Sequence, residues 1–139
     1  MSTVTFAHVG IACTDPLATE VWYVKHLGFR RVRRVEIEGK TLLFLASADG
    51  GFRLELFQAT ARHPFPPPGG DGPQWPALKH LAFAVPDLDA FLRKLGPAAV
   101  VTQGPVDLNR YLEGWKAVWL ADPDGHIVEV SQGYRDESA

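Results

Sequence analysis

Residues 6–15 read Phe6-Ala7-His8-Val9-Gly10-Ile11-Ala12-Cys13-Thr14-Asp15, and residues 79–87 read Lys79-His80-Leu81-Ala82-Phe83-Ala84-Val85-Pro86-Asp87. Each stretch opens an alternating run with a histidine and carries an aspartate seven positions after it. The alternation of Val9, Ile11 and Cys13 with His8, Gly10 and Ala12 has the period of a strand. Each aspartate is a natural helix N-cap, and Pro16 stands where a first helical residue tolerates proline. A strand feeding a helix is therefore written twice. The repeat continues outward to Phe52-Arg53-Leu54-Glu55-Leu56-Phe57 and His126-Ile127-Val128-Glu129-Val130-Ser131, where a glutamate follows Gly51 or Gly125 by four positions. The histidines lie 72 positions apart and the glutamates 74, a drift that loops absorb. A period this long points to a duplicated supersecondary module.

Each module reads strand, helix, then three strands. In the first, the strand spans 5–13. Leu17, Val21, Val24 and Leu27 follow helical spacing, and Gly28 stops the helix. Strands follow at 29–38, 41–47 and 52–59. In the second, residues 79–85 form a strand and Asp87 caps a helix carrying Leu88, Phe91, Leu92 and Leu95 before Gly96. Strands near 98–104, 115–121 and 126–132 follow, the last two joined by the strong turn Asp122-Pro123-Asp124-Gly125. The expected fold class is α+β. Two tandem βαβββ modules, about 4–60 and 79–133, sit in a single domain of 139 residues. Residues 61–78 are too rich in proline and glycine for a helix or a central strand and read as the connection. Phe65 and Trp75 within it are candidates for folding it down as a lid.

Bulk properties exclude several function classes. The net charge of −2 gives no electrostatic footprint for nucleic acid or an anionic membrane. The first residues lack a basic region followed by a long apolar stretch, and no apolar run approaches membrane-spanning length. Cys13 is the single cysteine, which suits a reducing compartment. The expectation is a cytoplasmic protein without nucleic-acid or membrane partners. The run Arg30-Arg31-Val32-Arg33-Arg34 is read as a charged strand edge, since it continues as Val35-Glu36-Ile37-Glu38. His26, His63 and His126 have no counterparts in the repeat and are read as surface residues.

If the helices cover one sheet face, Val9, Ile11, Leu54, Leu56, Leu81, Phe83, Val128 and Val130 pack beneath them. His8, Glu55, His80 and Glu129 then share the opposite face. Their neighbours there are small: Gly10 and Ala12 beside His8, Ala82 and Ala84 beside His80. That is a pocket with a polar floor, costly unless something pairs the polar groups. Singly, each residue has an ordinary structural explanation. Jointly, two imidazoles and two carboxylates suit one divalent cation among Zn, Ni, Co, Mn and Fe(II). Arg53 and Phe57 share the face of Glu55 and are candidate substrate contacts, as is Trp119; Trp115 and Tyr111 are weaker ones.

These motifs resemble the vicinal oxygen chelate superfamily, which includes glyoxalase I, methylmalonyl-CoA epimerase, extradiol dioxygenases and bleomycin or fosfomycin resistance proteins. The resemblance covers essentially the whole chain. It rests on His8-Val9-Gly10-Ile11-Ala12, Leu54-Glu55-Leu56-Phe57, Lys79-His80-Leu81-Ala82-Phe83-Ala84-Val85 and Asp122-Pro123-Asp124-Gly125-His126-Ile127-Val128-Glu129. It implies paired βαβββ modules forming a curved mixed sheet around a metal-binding cleft, with His8, Glu55, His80 and Glu129 as ligands. A set of two histidines and two glutamates is most similar to glyoxalase I. The resemblance further implies a homodimer, a small substrate with vicinal oxygens, and a lyase or isomerase step through an enediolate. Glu129 is then the general base, with Glu55 serving the opposite face. Two departures argue against glutathione hemithioacetal as substrate. Ala12 and Ala59 stand where glyoxalase I has an arginine and an asparagine that hold glutathione. An Fe(II) extradiol-type dioxygenase is the first alternative, although a fourth ligand at Glu55 would occupy a position that oxygen or catechol needs. A non-catalytic small-molecule binding or resistance protein is the second, and the retained quartet argues against it.

Overall fold

The computed structural model describes residues 2–138 and divides between Phe65 and Pro66 into two compact units. The first contains β1 (Val9–Cys13), α1 (Pro16–Leu27), β2 (Arg30–Ile37), β3 (Lys40–Ala46) and β4 (Arg53–Gln58). The second contains β5 (Leu81–Ala84), α2 (Leu88–Leu95), β6 (Val100–Asp107), β7 (Lys116–Ala121) and β8 (Ile127–Gln132). Each unit is thus one βαβββ module with a four-stranded mixed sheet, in the orders β1-β4-β3-β2 and β5-β8-β7-β6. The β1–β4 and β5–β8 pairings are parallel and the others antiparallel.

Helix starts follow the sequence closely. Asp15 Oδ1 accepts from the backbone N–H groups of Leu17 and Ala18, and Asp87 Oδ1 from that of Ala90. Pro16 opens α1, and Gly28 closes it with φ 72°, a conformation that favours glycine. The inward face of α1 is not its most apolar stripe. Pro16, Thr19 and Tyr23 are buried, whereas Leu17, Val21 and Val24 are exposed. The helix carries two neighbouring apolar stripes, and the bulk of Tyr23 decides between them, because its ring packs edge-on against Phe29 at 5.6 Å.

Alternation sets the core. Leu54 and Leu56 of β4, with Leu43 and Leu45 of β3, are fully buried on the helix side of the first sheet. Val128 and Val130 of β8, with Val118 and Leu120 of β7, do the same in the second. Val9, Ile11, Leu81 and Phe83 are only half-buried, because β1 and β5 end their sheets. Among the described residues, no helix is long and apolar enough to cross a membrane.

The two leading strands are shorter than the sequence implies. They begin at Val9 and Leu81, the first residues with partners on β4 and β8. His8 and His80 therefore stand on the approaches to their strands, one residue before the ladders start.

Candidate metal centre

In each unit the leading histidine meets the glutamate of the last strand. His8 Nε2 lies 3.9 Å from Glu55 Oε2, and His80 Nε2 lies 3.5 Å from Glu129 Oε1. Register explains why. Glu55 is opposite Gly10 on β1, and Glu129 is opposite Ala82 on β5, so each carboxylate rises beside a residue two places after the histidine. Gly10, Ala12, Ala82 and Ala84 are all exposed. A Cβ added to Gly10 would lie 2.8 Å from Glu55 Oε1, so the carboxylate occupies space that only glycine leaves open.

An aromatic residue completes each pair. Phe44 is the cross-strand partner of Glu55, and its ring stands edge-on to His8 at 5.3 Å. Trp119 is the partner of Glu129, and its ring lies 6.3 Å from His80. Trp119 is 6% exposed, and among the described residues its buried indole N–H has no hydrogen-bond acceptor. The repeat thus reaches beyond the four polar residues. Phe44 was not singled out from sequence, although it holds the place in its module that Trp119 holds in the other.

The connection also contributes. His80 Nδ1 lies 2.7 Å from the backbone carbonyl oxygen of Asp71. A carbonyl only accepts, so Nδ1 carries a proton, and Nε2 is the ring nitrogen directed toward Glu129. Asp71 is itself held by Lys79 Nζ at 3.3 Å and by Gln74 Nε2 at 3.0 Å, and Thr102 Oγ1 donates to the neighbouring Gly70 carbonyl at 2.6 Å. The segment is therefore tied down by these contacts, while Phe65 and Trp75 remain exposed and do not anchor it. Burial, with help from the Asp71 charge, lifts the Glu129 carboxyl above its ordinary range, and His80 opposes the shift.

The remaining candidates divide. Arg53 lies on the Glu55 face, where its guanidinium donates to the Gly50 carbonyl at 2.6 Å rather than meeting a carboxylate. Phe57, between Ala12 and Leu42, is half-buried on the same face. His126 is no free surface residue. Its Nδ1 lies 2.9 Å from Asp122 Oδ2, and that bond holds the imidazole above its ordinary pKa. A separate cleft of about 340 Å³ lined by Pro105, Asp107, Asn109, Trp115 and Lys116 contains none of the seven candidate residues. Among the described residues, no three His, Cys, Asp or Glu side chains already form a metal-holding group. Each unit supplies one imidazole–carboxylate pair, and the donor set suits a divalent ion.

Known proteins match this frame. The family model described as Glyoxalase/Bleomycin resistance protein/Dioxygenase superfamily matches residues 5–130. The chain is 32% identical to the uncharacterized protein YwkD of Bacillus subtilis (strain 168) over 125 residues, covering 88% of this chain and 92% of that protein. The fosfomycin resistance protein FosX from Listeria monocytogenes superposes with a TM-score of 0.72 at 11% identity, over 96% of each chain. Another FosX structure from that organism, complexed with Mn(II), superposes with a TM-score of 0.62 at 13% identity, over 96% of this chain and 95% of that one.

Proposed function

The chain belongs to the Glyoxalase/Bleomycin resistance protein/Dioxygenase superfamily, and on that premise we propose that it is a divalent-metal-dependent lyase or isomerase. Its substrate is a small molecule with vicinal oxygens, and His8, Glu55, His80 and Glu129 are the ligands. The observation that carries this reading is the bond between His80 Nδ1 and the Asp71 carbonyl at 2.7 Å. A ligand imidazole characteristically donates its second N–H to such an acceptor, which fixes the tautomer and leaves Nε2 for the ion. The space that Gly10 leaves for the Glu55 carboxylate supports it further. Both pairs are required on one ion, supplied by a single chain or by two copies in a homodimer. The Mn(II) bound by FosX supports a divalent ion without deciding which.

A bound ion of this kind supplies Lewis-acid polarisation of a substrate carbonyl or hydroxyl. The chain's own residues do the rest. Glu129, whose carboxyl is held above its usual range, would take the proton from the hydroxyl-bearing carbon next to the carbonyl and return it to the carbonyl carbon, while the hydroxyl proton passes to the former carbonyl oxygen. Glu55 serves the opposite face of the substrate. The unpartnered Trp119 N–H donates to a substrate oxygen, and Phe57 and Arg53 border the substrate from the first module. Alanine at positions 12 and 59 turns the reading away from glutathione conjugates.

The test is exchange of carbon-bound hydrogen into small hydroxy-ketones in deuterated water, followed by NMR with metal-loaded protein. Exchange that disappears in Glu129→Gln supports proton transfer. Oxygen consumption with catechols and no exchange would replace it with ring-cleaving dioxygenase chemistry. Tight binding of such compounds without turnover of either kind would make the protein a binder.

A further inference from the structure

β2 carries four arginines, and its ladder with β3 shifts between Arg31 and Arg33. Arg30 stands opposite Ala46, Arg31 opposite Leu45, Arg33 opposite Phe44 and Arg34 opposite Leu43. Val32 is the extra residue. In a regular strand Arg31 and Arg33 would share a face; the bulge instead re-aims every side chain after it. Arg31 and Arg34 fall on the helix face with Leu45 and Leu43. Arg30 and Arg33 fall on the face of Glu55, the latter in the row Gly10, Glu55, Phe44, Arg33.

The charges divide along the same line. Arg31 makes two bonds of 2.6 Å to the Glu20 carboxylate on α1, and Arg34 meets Glu36 at 3.0 Å. Arg30 and Arg33 make no ion pair with any described residue. Arg53, in the row of Ala46 and Arg30, is met only by an uncharged carbonyl. The guanidinium groups on the helix side are neutralised, whereas those on the His8 and Glu55 side are not. An arginine fork without a carboxylate is built to take an oxyanion bidentately.

We propose that Arg33, with Arg30 beside it, binds an anionic group of the substrate, of carboxylate or phosphate type. This deepens the metal-dependent reading and rests on it for the word substrate. Two strand spacings put the Arg33 backbone about 10 Å from that of Glu55, so the anionic group lies within a few bonds of the vicinal oxygens. The bulge decides which arginines these are: strict alternation would put Arg34 beside Arg30 on the face of Glu55, whereas the extra residue Val32 puts Arg33 there.

The experiment uses metal-free protein, so that its outcome is independent of metal binding. Inorganic phosphate and acetate are titrated separately at low salt while the arginine Nε–H signals are followed by NMR. Wild-type protein is compared with Arg33→Gln and with Arg34→Gln, whose arginine lies on the other face. A saturable shift at Arg33 in the wild-type protein with either anion, with anion affinity read at the Arg30 Nε–H weakened about tenfold or more in Arg33→Gln and unchanged in Arg34→Gln, supports the proposal; the tighter anion names the class. Unperturbed backbone amide signals elsewhere show that the variants fold. No saturable shift at Arg33, or equal loss in both variants, overturns it and leaves the metal reading standing. Displacement of phosphate by single-stranded oligonucleotides with affinity rising with length overturns it too, in favour of a nucleic-acid surface. Phosphate binding through Arg33 in a protein that takes up no metal keeps the anion site and removes the metal reading instead.

Discussion

Gly10 and Glu55 face each other across the parallel β1–β4 pair, with a carboxylate oxygen 2.8 Å from the point where a Cβ on Gly10 would sit. Two opposing effects follow from Gly10→Ala. Alanine suits a strand better than glycine, by roughly 0.5–1 kcal/mol, while the Glu55 carboxylate must turn away. The metal-free variant should therefore match or slightly exceed wild-type stability in urea. Its affinity for a divalent ion should fall about tenfold or more, measured by titration calorimetry. Unchanged affinity would show that Glu55 is not held by this contact.

Thr102 acts at longer range. Its hydroxyl holds the Gly70 carbonyl, adjacent to the Asp71 carbonyl that orients His80. Thr102→Val should cost about 1 kcal/mol of stability and weaken metal binding by more than Thr102→Ser. Nitrogen chemical shifts of His80 should show the tautomer becoming mixed in Thr102→Val. An intact tautomer together with weakened binding would place the effect elsewhere.

Trp119→Phe removes an indole N–H that is buried without a partner. The smaller ring should cost stability through the cavity it leaves, by about 1 kcal/mol or somewhat more, with nothing added for the unpaired N–H, and kcat/KM should fall about tenfold. A large loss of stability with unchanged kcat/KM would mean that Trp119 is only packing.

Much of the fold was legible because it was written twice. The capping aspartates, the glycine stop of α1, the turn at Asp122-Pro123-Asp124-Gly125 and the order of the strands all appear where local chemistry demands them. That His8, Glu55, His80 and Glu129 lie away from the helix-side core followed from alternation and the repeat, whereas their meeting as His8–Glu55 and His80–Glu129 is set by strand register. Other features depend on long-range neighbours. The inward face of α1 is not legible from hydropathy, because Leu17, Val21 and Val24 outrank Thr19 and Tyr23 there, whereas the shape of Tyr23 decides the packing. The Asp71 carbonyl is a backbone group in a proline- and glycine-rich segment, so no side-chain pattern announces it. The bulge at Val32 has no glycine to mark it, and it alone moves Arg33 to the face of Glu55.

Glu129 predicts a pH dependence for the metal-free protein. Burial raises its folded pKa above the ordinary glutamate value, so the fold favours the protonated form. That contribution is fully present below the unfolded pKa and is lost as pH rises through the folded value. Stability should accordingly decline as the pH is raised from the ordinary glutamate range toward neutrality. Glu129→Gln should remove this part of the decline and be the more stable protein at pH 7 while losing proton exchange. An identical slope in both proteins, followed by chemical denaturation, would assign the pH dependence to other groups.

Metal content bears most directly on the central claim. Protein purified without chelators or a histidine tag, analysed by elemental mass spectrometry, should carry about one divalent ion per chain. Native mass measured alongside should show whether one chain or two hold it, and His80→Ala should lose the ion while remaining folded. Metal-free protein that also fails to bind added Ni, Co, Zn, Mn or Fe(II) would contradict the account.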